Sequence, residues 1–158
     1  MSKPVFTTFA VACAMALPML AHSRPVTIST TLKNYGGNGA YLAVYLTDAK
    51  GAYARTLWVA GGKAKYYKHL SDWTRLSAGD AKRLDGVTGA SVGAGRTLKV
   101  TADLADALID AGYEIRVDAA AEDMRESPSE VRVPLTAGGS GKAQAGKQYI
   151  QSLTYQLQ

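Results

Sequence analysis

Residues 41–60 read Tyr41-Leu42-Ala43-Val44-Tyr45-Leu46-Thr47-Asp48-Ala49-Lys50-Gly51-Ala52-Tyr53-Ala54-Arg55-Thr56-Leu57-Trp58-Val59-Ala60. In an extended chain successive side chains point to opposite faces. Leu42, Val44 and Leu46 then share one face, and Tyr41, Ala43 and Tyr45 share the other. Asp48-Ala49-Lys50-Gly51 supplies turn residues. After it, Leu57 and Val59 alternate with Thr56 and Trp58. Two alternating runs around a short Gly-containing loop predict an antiparallel hairpin.

The same period of two recurs on both sides of this stretch. Upstream, Val26, Ile28, Thr30 and Leu32 alternate and run into the turn signal Gly36-Gly37-Asn38-Gly39. Downstream, strands are expected over Thr97–Ala102, around Tyr113, Ile115, Val117 and Ala119, around Val131, Val133 and Leu135, and around Leu153, Tyr155 and Leu157. About seven short antiparallel strands separated by turn signals predict an all-β antiparallel β-sandwich, immunoglobulin-like, with a small β-barrel as the alternative. No strand–helix–strand rhythm suggests a parallel sheet.

Between the strands the period changes. After Gly61-Gly62, the residues Tyr66, Tyr67, Leu70 and Trp73 fall on one helical face. A short helical insertion over Lys63–Trp73 is expected, packed as a lid over one end of a sheet. A helical turn is expected over Ala102–Ala111, ended by Gly112. Glu122–Pro128 reads as a charged turn, and the Gly-, Ala- and Ser-rich Ala137–Gly146 as a mobile loop.

Of the 158 residues, the first 23 read as a secretory signal peptide. Lys3 supplies the basic start, Val5–Leu20 the apolar run, and Ala21-His22-Ser23 the small residues before a cleavage at Arg24. Residues 24–158 are then a single exported domain, expected in the periplasm, soluble and with no transmembrane helix. The leader also carries away Cys13, Phe6 and Phe9, and the one remaining histidine is His69. Disulfides, Cys-ligated zinc, iron–sulfur clusters, thiol catalysis and attached c-type haem are thereby excluded. The net charge of +5 falls to +4 without Lys3 and is scattered; Lys63–Lys68, the densest run, reads as a solvated face. No nucleic-acid partner is expected. A Ser-His-Asp hydrolase would have to use His69, and no serine sits in a nucleophile elbow.

The long loop over about 77–95 contains Gly79, Gly86, Gly89, Gly93 and Gly95. Loops this long are usually functional or disordered. Within it runs Asp85-Gly86-Val87-Thr88-Gly89-Ala90-Ser91. A modified hydroxyl has to be exposed and unhindered. Gly89 permits close approach of another backbone, Ala90 keeps the neighbour small, and Thr88 can fix the turn. Asp85 can orient or deprotonate a hydroxyl, or help hold magnesium.

The pattern Asp-x-x-Ser/Thr-Gly-Ala-Ser/Thr resembles the covalent FMN attachment site of exported flavoproteins, such as the FMN-carrying subunits of sodium-pumping quinone reductases. The resemblance implies a flavin transferase that uses FAD and links the FMN phosphate to Ser91 through a phosphoester. Magnesium is implied only during that attachment, and a membrane-bound redox protein as partner. Lys82, Arg83 or Arg96 would lie near the phosphodiester. For the flavin ring, flat aromatic neighbours are expected, with Trp73 and Tyr67 foremost and Trp58 and Tyr66 as further candidates; core packing is the competing role of each.

A second resemblance spans roughly 41–135. It rests on Tyr41–Asp48, Arg55-Thr56-Leu57-Trp58, Lys65-Tyr66-Tyr67, Leu70, Trp73, the motif itself and Tyr113–Asp118. Together these resemble a family of predicted periplasmic proteins of unknown function that often carry such a motif. The chain departs from that family in Gly86, where Ala is expected, and in the Ala- and Leu-rich Ala102–Gly112. Two functions are therefore expected: an exported flavoprotein domain carrying covalent FMN for electron transfer or, as the alternative, a non-catalytic periplasmic binding or adhesion module.

Overall fold

The computed structural model describes residues 21–78 and 84–158. The expected signal segment up to residue 20, and Lys82 and Arg83, lie outside the described residues. The chain forms β1 (Ser23–Leu32), β2 (Tyr41–Thr47), β3 (Tyr53–Ala60), a 3₁₀ turn over Ala64–His69, α1 (Ser71–Leu76), the two-residue β4 (Thr88–Gly89), β5 (Thr97–Ala105), β6 (Glu114–Ala120), β7 (Ser127–Pro134) and β8 (Ile150–Leu157). They build two sheets, β5-β1-β8 and β4-β3-β2-β6-β7. Neither closes on itself, so the fold is an all-β sandwich and not a barrel. The immunoglobulin-like expectation holds for the architecture and not for the strand order. Here β1 pairs with both β5 and β8, which places the first and last strands side by side.

The hairpin at 41–60 forms as expected, with β2 paired antiparallel to β3. Its turn is held by the Asp48 carboxylate, which accepts from the Lys50 and Ala52 backbone N–H groups at 2.9 Å each. Both faces of β2 are buried. Leu42, Val44 and Leu46 enter the core between the sheets with Ile28, Val117, Leu153 and Tyr155. Ala43 and Tyr45 face outward, where Leu70 and Trp73 cover them. The helical insertion is thus a lid over the outer face of the larger sheet. Ridding β2 of water on both sides is worth about 1.5–3 kcal/mol for each large side chain buried.

Three local expectations are corrected. The segment after Thr97 stays extended through Ala105, and only Asp106–Leu108 is helical, as a 3₁₀ turn. Pairing with β1 prevails over helix propensity there, because it sends Leu104 into the core. A parallel pair does exist: Val59 and Ala60 of β3 lie beside Thr88 and Gly89 of β4. Finally, Ala137–Gly146 is bonded into the fold. Gly141 N–H donates to Tyr155 O, Gln144 pairs with Leu153, and Gly146 N–H donates to Ile150 O.

The buried Tyr155 clamps the start of this segment. Its hydroxyl accepts from Thr136 N–H at 2.9 Å and lies 2.6 Å from Thr136 O and 3.0 Å from Pro134 O. Tyr155→Phe is expected to lower stability by about 1–2 kcal/mol, read from urea unfolding with an unchanged m-value.

Candidate functional site

The motif loop is fastened at two points. On one side Val59 N–H donates to Val87 O at 2.8 Å and Gly61 N–H to Gly89 O at 2.7 Å. On the other, Ala40 and Val92 exchange both backbone hydrogen bonds, at 2.7 and 2.9 Å. Ala90 and Ser91 bridge the gap between these anchors, and both are exposed. Asp85 is also exposed. It occupies a turn closed by Val87 N–H on Leu84 O at 3.3 Å, with Gly86 at φ +74°. A type II turn needs positive φ at that third position, so glycine in place of the expected Ala has a structural reason.

Two glycines shape the surroundings of the motif. A Cβ on Gly89 would come within 2.7 Å of Trp58 Cζ2, so the missing side chain lets the indole lie against the loop. A Cβ on Gly39 would stand 2.7 Å from Ser91 Oγ. The bare backbone of Gly39 therefore leaves the Ser91 hydroxyl open. The Gly36–Gly39 turn was legible as a turn; its role beside Ser91 was not.

Ser91 lies on the wall of a cavity of about 590 Å³. Such a volume is in the range of small-ligand sites. Tyr41 and Tyr66 form its aromatic side, with ring centroids 5.7 Å apart in an edge-to-face arrangement. Lys65 Nζ stands 4.9 Å from the Tyr66 centroid. Ala120, the cross-strand partner of Tyr41 at the end of β6, also lines it, with Ala121 and, in the following turn, Met124. Glu122, Asp123, Glu126 and Lys63 bring charge to the rim. The expected charged turn after β6 therefore forms one wall of the site.

His69 also lines this cavity. Its Nδ1 is 2.6 Å from Glu126 Oε1, and both side chains are partly exposed.

The two favoured aromatic neighbours take other positions. Trp73 is fully buried on the inner side of the lid. Its indole N–H donates to Thr56 Oγ1 at 2.9 Å and its backbone N–H to Asp118 Oδ2 at 2.7 Å. Trp73 is a core residue and does not line the cavity beside Ser91. Tyr67 is half-buried and does not line that cavity, its hydroxyl donating to Gly61 O at 2.8 Å and its ring edge-on to Trp73. Trp58 is half-buried with its indole N–H unpartnered among the described residues. Arg96 is exposed and does not line the cavity.

A buried carboxylate secures the lid. Asp118 of β6 accepts from the Tyr45 hydroxyl at 3.0 Å and from Ser129 N–H at 2.8 Å, besides Trp73. Burial raises its pKa despite these three bonds, and burial together with the Asp118 charge pushes the Tyr45 phenol up as well.

No helix among the described residues is long and apolar enough to cross a membrane. No curated protein and no solved structure matches the chain. The family model described as "Predicted periplasmic protein (DUF2271)" matches residues 23–152, from the first residue of β1 into β8. The chain belongs to this family of predicted periplasmic proteins.

Proposed function

We propose that the protein is a periplasmic flavin carrier with FMN bound to Ser91 through a phosphoester. The observation that carries this reading is the exposed Ser91 hydroxyl, bared by Gly39 and set on a cavity wall between two fixed points of the loop. The residues present suit the group: an open acceptor oxygen, aromatic walls beside it, and Lys63 on the same cavity to face the remaining phosphodiester charge. Bound FMN supplies one- or two-electron transfer.

The chain's own part in attachment is to present one hydroxyl. A flavin transferase brings FAD and magnesium. The Ser91 Oγ–P bond forms while the pyrophosphate P–O bond of FAD breaks and AMP leaves. The hydroxyl proton passes to a base, a role that Asp85 fits by charge and exposure. Rigid anchoring at Gly89 and Val92 lowers the entropic cost of placing the nucleophile. After attachment the domain holds the flavin outside the cytosol and presents it to a membrane-bound redox partner.

Co-expression in the periplasm with a flavin transferase tests the reading. A yellow chain that keeps its fluorescence on a denaturing gel is expected; a colourless chain of unmodified mass contradicts it. Gly39→Ala provides a finer test. A methyl group crowding Ser91 Oγ is expected to slow labelling at least roughly tenfold, with the melting temperature unchanged.

A further inference from the structure

We propose that the cavity beside Ser91 is the seat of the isoalloxazine ring, with Tyr41 and Tyr66 as its aromatic wall. This rests on the tether at Ser91, and it identifies ring-binding residues that the motif does not contain. Ser91 is itself a lining residue, so a group attached there begins at the cavity wall. The ribityl phosphate arm is short. The ring then has two places to go, into this cavity or into water, and burying a large flat apolar surface favours the cavity.

The lining fits that surface in kind. The tyrosines offer ring faces and edges, Met124 a polarisable thioether, and Ala120 and Ala121 small apolar side chains that take up little of the space. Polar groups stand where the heteroatoms of a flavin need partners. The Asn38 amide, held 3.3 Å from Glu122, and the His69–Glu126 pair both reach the same space. The other aromatic rings near the motif are already committed. Trp73 is buried on the inner side of the lid, and Trp58 packs against Gly89. Tyr66 is available because the backbone breaks between the 3₁₀ turn and α1, at Leu70 with φ −86° and ψ +71°. That break separates the direction of Tyr66 from that of Trp73.

Flavin fluorescence is the readout, because a tyrosine or tryptophan held against the ring quenches it. In the labelled protein the native emission is expected to be several-fold below that of the same chain unfolded in guanidinium. Tyr66→Leu and Tyr41→Leu should each raise the native emission without reducing the amount of label, and Tyr66→Trp should keep it quenched. The comparison of native with unfolded wild-type chain decides the matter even where a variant misfolds. In a second arm, the unlabelled Ser91→Ala chain is titrated with free FMN, and saturable quenching that Tyr66→Leu weakens is expected. A labelled chain as bright folded as unfolded overturns the ring seat and leaves the tether standing. A wild-type chain that takes no label from the transferase yet quenches free FMN through Tyr66 supports the seat and overturns the tether. Absence of both label and quenching overturns both.

Discussion

Ser91→Ala is expected to yield a folded, colourless protein, with covalent flavin lost entirely and not merely reduced. The side chain is exposed, so removing its oxygen costs the fold little, within about 0.5 kcal/mol. The chemical effect is total because the attachment needs that oxygen, and the motif's other hydroxyl is placed elsewhere. Thr88 lies in β4, beside Val59, and its position is set by that pairing. Ser91→Thr should retain labelling, since it preserves the oxygen. Asp85→Asn should slow it without unfolding the domain, since it removes the charge and keeps the turn. Fluorescence on denaturing gels gives the label, and the circular dichroism melt gives the fold. Covalent label remaining on Ser91→Ala, even at a reduced level, contradicts the assignment of the acceptor.

Glu130→Ala is expected to be the most destabilising single change, by about 3 kcal/mol or more. Glu130 is a buried carboxylate on β7 whose partners lie on another part of the chain. It accepts from the backbone N–H groups of Lys147, Gln148, Tyr149 and Ile150 at 2.7–3.1 Å, and from the Ser127 hydroxyl. Its removal strands four backbone donors at once at the entry to β8, two of them, on Tyr149 and Ile150, buried. The melting temperature should fall by roughly 10 °C.

Burial alone would raise the Glu130 pKa. The Ile150, Gln148 and Tyr149 N–H groups and the Ser127 hydroxyl outweigh it and hold the carboxyl below its ordinary range. The stability that this group contributes is therefore present above the ordinary glutamate range. It is lost as pH falls through the depressed folded value. Asp118 has the opposite sign: burial raises its pKa, so its contribution is greatest below the ordinary aspartate range and declines as pH rises through the folded value. Acid unfolding followed by fluorescence should show wild type losing stability below about pH 4.5, a loss blunted in Glu130→Gln because that side chain no longer titrates there. Equal acid sensitivity in the two proteins contradicts this role.

The parts of the molecule legible in the sequence are those encoded locally. Alternation at Leu42, Val44 and Leu46 and the Asp48–Gly51 turn specify the hairpin without reference to anything distant. The motif at Asp85–Ser91 is likewise contiguous, so its placement in an exposed loop could be expected. The cavity was not legible because its walls come from separate places: the Asn38-Gly39 turn, Tyr41 at the start of β2, Tyr66 in the lid, Ser91 of the motif loop, and Ala120 at the end of β6 with the turn that follows it. Helical periodicity grouped Tyr66 with Trp73, but the break at Leu70 ends that register, turning one ring toward Ser91 and the other into the core. Glu130 left no periodic trace. Its partners are backbone groups 17–20 residues further on, and only the folded chain brings them together.

The central claim is that this domain carries FMN on one serine of a fastened loop, and peptide mass mapping tests it most directly. Wild-type chain co-expressed with a flavin transferase is digested and each peptide weighed. The account predicts one fluorescent peptide containing Ser91, heavier by FMN less one water, with fragmentation placing the gain on that residue. A gain on any other residue, or a Ser91 peptide of unmodified mass from a preparation in which the transferase labels a known acceptor, contradicts it.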